Sequence, residues 1–245
     1  MKIKVLGNMG AFPHNNLPCS GYLVENDEDK ILVDCGSGVL LKLKEHCSIN
    51  KLSGIIISHL HWDHFSDLMP MRYEIDYLQT QGIIKEPIPL YCPARPKENF
   101  DLLQYKNTLR IETISSNKKI KFGSTVVEFF EVKHPIECYG MKFMGNKKKI
   151  CYSADTEYFP EIINEVSGAD VFLCEASVLQ EDEKTAKGHL SGPQAAKIAI
   201  EAGISRLILT HFWPYYDSET ILNEAKSASS GVEIHRSEVD EDIIV

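Results

Sequence analysis

Long apolar runs are missing from this sequence of 245 residues. The longest purely aliphatic runs, Ile55–Ile57 among them, have three residues, whereas a helix that crosses a bilayer needs about 20 apolar residues. The N-terminus carries Lys2 and Lys4 but no apolar stretch as long as that of a secretory signal. We therefore expect no membrane contact and a cytoplasmic location.

Paired cysteine spacing is also missing. The seven cysteines are irregularly spaced, their number is odd, and no Cys-x-x-Cys occurs. A disulfide framework or a structural zinc knot would need paired spacing. We expect buried free thiols instead, as in a protein from a reducing compartment.

Positive charge is scarce, because 26 Lys and Arg residues stand against 35 Asp and Glu residues and the formal net charge is −9. Proteins that hold nucleic acid by its phosphates usually present a basic stripe. The basic clusters here are Lys147–Lys149 and the group of Lys118, Lys119 and Lys121, which we expect at hairpin turns. The charge thus argues against a protein that wraps nucleic acid.

The pattern of apolar residues predicts alternating strands and helices. No linker or low-complexity segment divides the chain, so we predict a single domain over residues 1–245. Strands are predicted over residues 2–6, 21–25, 30–34, 54–58, 125–132, 149–152, 169–174 and 206–210. Helices are predicted around Leu40, after His64, over residues 98–109, from Ser191, and from Asp217.

Two segments of the chain resemble each other. Residues 54–59 read GIIISH and residues 206–211 read RLILTH, and each follows a predicted helix. Two such units predict two similar halves, with a site where the strand ends meet. Chance similarity between buried strands is the alternative interpretation.

Metal-ligand side chains cluster directly after the first of these segments. His59, His61, Asp63 and His64 fall within six positions. Imidazole and carboxylate together suit Zn²⁺, with Mn²⁺ or iron as rivals. A catalytic zinc uses three protein ligands and one open position, so four clustered ligands indicate two metals. Further ligands are available at predicted strand ends, namely His134, Asp155 and His211.

The order of these residues resembles the metallo-β-lactamase superfamily. The matching pattern is H-x-H-x-D-H, then a strand-end His, an Asp in Ser-Ala-Asp-Thr, and a final His. The resemblance implies an α/β fold, the αββα four-layer sandwich, with two mixed β-sheets flanked by helices and the metal site at the sheet edge. It assigns one metal to His59, His61 and His134, the other to Asp63, His64 and His211, and the bridging position to Asp155.

Other members of the superfamily differ at particular positions. True β-lactamases place Cys or His where this chain has Asp155, and the di-iron oxygen reductases place Glu where it has His61. Glyoxalase-type thioesterases share all seven ligands, so the ligands alone do not exclude them. Asp34, in Leu-Val-Asp-Cys-Gly, matches the family's first motif, and we expect it to hydrogen-bond to the ligands rather than to bind metal.

A second motif resembles the phosphodiesterase branch that contains ribonuclease Z. Glu175 ends an apolar run in FLCEAS, and His189 follows in GHLS. The resemblance implies that Glu175 orients His189, which protonates or stabilises the leaving oxygen, and that Asp63 is a candidate proton acceptor. A polar loop with a helix cap would explain Ser191 but not Glu175. Aromatic residues after His211 could stack a base, although we expect most of them to pack locally; they are Phe212, Trp213, Tyr215 and Tyr216.

The chain departs from ribonuclease Z in one respect. The basic arm that clamps tRNA lies between the third-motif His and the bridging Asp, and here only 21 positions separate His134 from Asp155. We therefore expect a phosphodiesterase that acts on a small anionic substrate, such as a small nucleotide, a cyclic phosphodiester or an RNA end, and not on tRNA. The alternatives are a thioester or lactone hydrolase on the same metals and a non-hydrolytic metal-bound carrier or chaperone. Relatives often dimerise, and a homodimer is considered on that ground alone.

Overall fold

The computed structural model describes all residues, 1–245, and contains fourteen strands and seven α-helices. The strands are β1 (Lys2–Gly7), β2 (Gly21–Asn26), β3 (Asp29–Val33), β4 (Gly54–Ile56), β5 (Ile88–Cys92), β6 (Leu109–Thr113), β7 (Lys119–Phe122), β8 (Thr125–Glu131), β9 (Tyr139–Gly145), β10 (Lys148–Tyr152), β11 (Val171–Glu175), β12 (Arg206–Thr210), β13 (Glu233–Arg236) and β14 (Asp242–Ile244). The helices are α1 (Val39–His46), α2 (Trp62–Phe65), α3 (Leu68–Thr80), α4 (Lys97–Leu102), α5 (Ile162–Val166), α6 (Gly192–Glu201) and α7 (Ser218–Ser227).

The strands form two mixed sheets of seven strands each. The first sheet has the order β14-β1-β2-β3-β4-β5-β6 and the second β13-β12-β11-β10-β9-β8-β7. Counted from β14 in the first sheet and from β7 in the second, three antiparallel pairings are followed by three parallel ones. The two sheets therefore have the same pairing pattern, and each consists of one half of the chain except that β14, from the end of the chain, joins the first sheet.

The repeated segment itself does not occupy equivalent positions. Counted from the antiparallel edge, β4 is the fifth strand of its sheet, and β12 is the sixth strand of the other. The counterpart of β4 is β11, the strand that ends at Glu175. The similarity of the two six-residue segments thus reflects buried strands in general, which was the alternative interpretation.

The two sheets face each other across one apolar core. A cluster of 47 buried residues joins side chains from both sheets, and the rings of Tyr22 and Tyr152 meet across it at 5.2 Å. This cluster also includes residues of α6 and α7, which cover the outer face of the second sheet. A separate cluster of 21 buried residues lies between the first sheet and helices α1 and α3. The predicted αββα sandwich is confirmed.

Some predicted elements were wrong. The helix predicted over residues 98–109 ends at Leu102, because Leu109–Thr113 pairs in parallel with β5 as an edge strand. Lys119 and Lys121 lie in β7 rather than in a turn, whereas Lys147 does occupy the β9–β10 turn with a left-handed backbone. All seven cysteines are buried and unpaired, as predicted.

None of the seven helices has both the length and the apolar character that crossing a bilayer requires.

Candidate metal centre

Strand ends carry the candidate ligands to one edge shared by the two sheets. The first sheet provides Asp34 directly after β3 and the segment that follows β4. The second sheet provides residues just beyond β8, β10 and β12, together with the last residue of β11. Asp34 and His211 have left-handed backbones, with φ of 56° and 58°. Such conformations are uncommon for residues other than glycine and often occur at functional sites.

The structure brings all nine predicted site residues into adjoining groups. One group contains His59, His61 and His134, the second contains Asp63, His64, Asp155 and His211, and the third contains Glu175, His189 and His211. Within each group the potential ligand atoms lie within 4.8 Å of one another. Their metal-binding and catalytic roles stay predictions, which the geometry below makes specific.

Three imidazole nitrogens converge in the first group. The Nδ1 atom of His61 lies 3.1 Å from His59 Nε2 and 3.0 Å from His134 Nε2. The Ser58 hydroxyl donates to Asp34, so it can accept from His59 Nδ1 at 3.0 Å. His134 Nδ1 donates to the Gly188 carbonyl at 3.0 Å. The outer hydrogen bonds therefore leave the inward nitrogens of His59 and His134 with free lone pairs.

The second group has the same organisation. His64 Nδ1 donates to Asp34 at 2.8 Å, and His211 Nδ1 donates to the Ser177 hydroxyl at 2.8 Å. The Nε2 atoms of these two histidines then face each other at 3.2 Å. Asp63 Oδ2 lies 3.3 Å from His211 Nε2. Two ring nitrogens and carboxylate oxygens therefore converge on one point, which is the arrangement that a cation stabilises.

Asp155 lies between the two groups. Its Oδ2 atom is 3.6 Å from His59 Nε2 of the first group, and 3.3 and 3.2 Å from the Nε2 atoms of His64 and His211 of the second. Its Oδ1 atom is buried and has no hydrogen-bond partner. A buried acceptor without a donor costs about 1–3 kcal/mol, and a bound cation would remove that cost. The residues present therefore fit a pair of divalent cations bridged by Asp155.

The electrostatic environment suits metal ligands. Burial lowers the pKa of His59, His61 and His134 below the ordinary histidine value, so each is a neutral imidazole with a lone pair to donate. Burial also opposes charge on His64, but the carboxylate of Asp155, with other neighbouring carboxylates, raises its pKa well above the usual value.

The third group joins a carboxylate to a histidine beside the candidate metal ligands. The buried Glu175 accepts from His189 Nδ1 at 3.1 Å, from the Thr156 amide at 2.7 Å and from the Ser177 hydroxyl at 2.6 Å. Burial opposes the charge on His189, but the Glu175 carboxylate outweighs burial and raises the pKa of His189 to about 9. His189 is therefore a protonated imidazole at neutral pH, and its side chain is 25% exposed.

Asp63 is held as a carboxylate. Its Oδ2 atom accepts from the Ala11 amide at 2.7 Å. Burial would raise the pKa of Asp63, but His64 and His211 outweigh burial and hold that pKa well below the usual range. A carboxylate with so low a pKa is a weak base, which favours a role for Asp63 as a metal ligand. Its second predicted role, as proton acceptor, stays a prediction.

A small cavity opens onto the second and third groups. Its volume is about 250 Å³. Its lining residues are Ala11, His61, Trp62, Asp63, Asp155, His189, His211 and Trp213. A reacting group in this cavity would touch both the candidate metal ligands and His189.

Sequence reasoning missed the residues that orient the ligands. Ser177 contacts Glu175 and His211, and it lies 3.4 Å from His189. Its position two residues after Glu175 is the only signal in the sequence. The Ala11 amide gave none, since a backbone donor depends on the path of its loop. The predicted role of Asp34 is found, because it accepts from Ser58, His64 and the Tyr152 hydroxyl.

Histidines and carboxylates gathered where two mixed sheets meet define a metallo-hydrolase of the β-lactamase fold. A sequence profile described as the Beta-lactamase superfamily domain matches residues 29–212, so the chain belongs to that superfamily.

Particular relatives agree with this assignment. The chain is 31% identical over 231 residues to the probable metallo-hydrolase YhfI of Bacillus subtilis, covering 94% of this chain and 95% of YhfI. The crystal structure of YhfI superposes with a TM-score of 0.94, at 30% identity, over 99% of this chain and 98% of YhfI. A ribonuclease Z of Borrelia garinii is 28% identical over 290 residues, covering 91% of this chain and 90% of the enzyme. The short form of human tRNase Z superposes with a TM-score of 0.78 at 21% identity, over 100% of this chain and 99% of that chain, and so supports the fold alone.

Proposed function

We propose that this hydrolase is a binuclear phosphodiesterase, with zinc as the first candidate metal, and that its substrates are small phosphodiesters. The observation that carries the proposal is the contact between Glu175 and His189 beside the metal cluster. Phosphodiester cleavage expels an alkoxide, a poor leaving group that benefits from a proton donor. A protonated histidine at the cavity edge meets that need.

The metals and the side chains would divide the work. Two divalent cations held by these residues would supply a water of lowered pKa and a clamp for phosphate oxygens. His189 keeps its Nδ1 proton bonded to Glu175, which leaves its Nε2–H as the donor available to the cavity. Stacking of the His189 ring on that of His211, with centroids 5.5 Å apart, fixes the distance between the acid and the metal site.

Thioester hydrolysis uses this arrangement less well. A thiolate leaves more easily than an alkoxide, since a thiol has a pKa near 8.5, so a proton donor contributes less. The raised pKa of His189 thus favours a phosphodiester over a thioester substrate.

A small substrate is supported by the geometry around the site. The segment between His134 and Asp155 is a short hairpin of β9 and β10, which leaves no place for a tRNA-binding arm. The cavity of about 250 Å³ lies at or below the roughly 300 Å³ lower end of ordinary ligand pockets. The alignment with Borrelia ribonuclease Z spans 290 positions, more than this whole chain, so that enzyme has extra segments. We therefore propose a small nucleotide, a cyclic phosphodiester or an RNA end as the substrate, and not tRNA.

Leaving-group dependence tests the proposed acid. The zinc-loaded wild type should hydrolyse both bis(p-nitrophenyl) phosphate and an alkyl phosphodiester such as a dinucleotide. His189→Ala should lower kcat/KM for the alkyl ester by about 10²–10⁴-fold and for the nitrophenyl ester by much less, because nitrophenoxide needs little protonation.

A matched control and a thioester panel complete the experiment. His235 is exposed and bonds only to Glu233, so His235→Ala should leave both rates unchanged. Equal losses for the two esters in His189→Ala would contradict the leaving-group role. Thioester turnover far above phosphodiester turnover in the wild type would replace the proposed function.

A further inference from the structure

Both tryptophans of the chain lie at the candidate metal centre. The sequence contains two, Trp62 and Trp213, and both line the cavity. Trp62 stands between His61 and Asp63 in the metal-binding motif, and 53% of it is exposed. Tryptophan is usually largely buried, because its ring removes much apolar area from water. The ring of Trp62 packs at 5.0 Å from that of Phe65, and its exposed part leaves apolar surface at the edge of the cavity.

A cluster of aromatic rings in edge-on and tilted contact adjoins Trp213. This aromatic wall consists of Phe12, His14, Trp213 and Tyr215. Phe12 contacts Trp213 edge-on with a centroid distance of 5.9 Å and Tyr215 at 5.7 Å, and His14 contacts Tyr215 at 5.8 Å. Tyr215 is 75% exposed. The rings of the wall thus pack against one another, and Tyr215 remains largely exposed.

The structure separates the four aromatic residues that follow His211. Phe212 is buried in the core, and the Tyr216 hydroxyl donates to Asp182, so both pack locally as expected. Trp213 and Tyr215 belong to the wall instead. All four residues therefore pack against neighbours, and Trp213 is the one of them that also lines the cavity.

Lysine and arginine side chains are absent from the cavity, so His189 is its only charged donor. Its lining contains histidines, carboxylates, one alanine and the two tryptophans, but no lysine or arginine. A second phosphate or a phosphorylated sugar would call for basic residues, since arginine and lysine are the usual phosphate partners. An uncharged planar ring calls for aromatic faces. The cavity is also too small for a whole nucleotide-sized ligand, so part of the substrate must lie on its rim.

We propose that Trp62 and Trp213 form a stacking site for the base of a nucleoside phosphate whose phosphate enters the cavity. The proposal rests on the proposed function where it takes the bound nucleotide to be a substrate. The binding of the nucleotide itself does not depend on that function. Stacking accepts any base, because every base has a flat π-face. We therefore expect the site to select nucleoside phosphates as a class and not one particular base.

Binding to the zinc-loaded chain tests this site without any turnover. Calorimetry compares thymidine 5′-monophosphate with ribose 5-phosphate, which has the phosphate and a sugar but no base. The nucleotide should bind about 5- to 150-fold more tightly, the range that one stacked base provides. Because both tryptophans of the chain lie in the cavity, the nucleotide should also quench tryptophan fluorescence, and ribose 5-phosphate should not.

Variants of the two tryptophans show which side chains cause the preference for the nucleotide over ribose 5-phosphate. Trp62→Leu and Trp213→Leu should each reduce the ratio of the two Kd values, and Trp213→Phe should restore most of it. Tyr77, 61% exposed on α3 and outside the cavity, provides the control, so Tyr77→Leu should keep the ratio. Metal content measured on every variant verifies that the site is intact.

The outcomes separate the two proposals. Equal Kd values for the two ligands in the wild type, or a preference that survives in both leucine variants, would overturn the stacking site. A chain that prefers the nucleotide but cleaves no phosphodiester would retain the stacking site and lose the proposed function.

Discussion

Glu175 controls the protonation state of His189 through a direct contact. The carboxylate is fully buried, and its three donors are the Thr156 amide, the Ser177 hydroxyl and the His189 ring. Because the backbone amide and the hydroxyl fix the carboxylate, it meets the imidazole at a set position. This is how a residue with an ordinary pKa near 6.5 becomes an acid that is charged at neutral pH.

The pH dependence of hydrolysis follows from this contact. His189 can donate only while protonated, so turnover of an alkyl phosphodiester should be full below pH about 9 and fall as the pH rises through about 9. Glu175→Gln removes the charge that raises the pKa of His189, and the alkaline limb should then move to lower pH. The kcat profile measured from pH about 6 to about 10 checks the shift.

The control for this profile is an exposed carboxylate. Glu161 is exposed and makes no contact with His189, so Glu161→Gln should leave the alkaline limb in place. If Glu175→Gln also left the limb unmoved, the limb would belong to another group and His189 would not be the acid.

At the scale of elements, loops that follow strands bring the ligands together. The loop after β3 runs along α2, where the Cys35 amide donates to the His64 carbonyl at 2.7 Å. Gly36 in that loop lies so close to α2 that an added Cβ would be 1.8 Å from the Asp63 carbonyl oxygen. The absence of a side chain at Gly36 therefore determines where Asp63 and His64 sit.

Gly36→Ala should therefore damage the second metal site. The alanine Cβ must displace the backbone of Asp63. We expect this to lower the free energy of unfolding by roughly 1–3 kcal/mol, as overpacking usually does. Because α2 carries Asp63 and His64, bound metal should fall from two ions per chain towards one. Denaturant unfolding and metal analysis measure the two effects.

Gly82→Ala is the matched substitution. Gly82 has φ of 69°, and no atom would lie within 4 Å of its Cβ. Alanine there should strain the backbone, since L residues rarely adopt that conformation, yet leave metal content at two. Unchanged metal content in Gly36→Ala would show that the loop does not position the ligands.

The sequence predicted those parts of the site that depend on strand ends. Each ligand is a His or Asp placed just after, or a short loop beyond, a buried strand, and such residues have few structural explanations. Ser177 and the Ala11 amide could not be predicted in the same way, because their roles depend on how loops pack across the two sheets. Long-range pairing also explains the wrong helix, since Leu109–Thr113 is a strand only in contact with β5.

At the scale of the whole molecule, the net charge and the small cavity both favour a small anionic substrate. The formal net charge is −9, and the salt bridges of the surface pair many of the lysines with carboxylates. Two bound dications would create a positive centre within this acidic exterior. A small anion is attracted to such a centre once inside the cavity, whereas a long polyanion meets an unfavourable surface. We therefore expect a substrate that enters the cavity rather than one that wraps the protein.

The metal content of the purified chain tests the central claim most directly. Protein expressed with added zinc and purified without chelators should contain two ions per chain by elemental analysis, in proportion to phosphodiesterase activity. Asp155→Ala, which removes the bridging carboxylate, should reduce both together. Active protein with one ion or none per chain would contradict a binuclear phosphodiesterase.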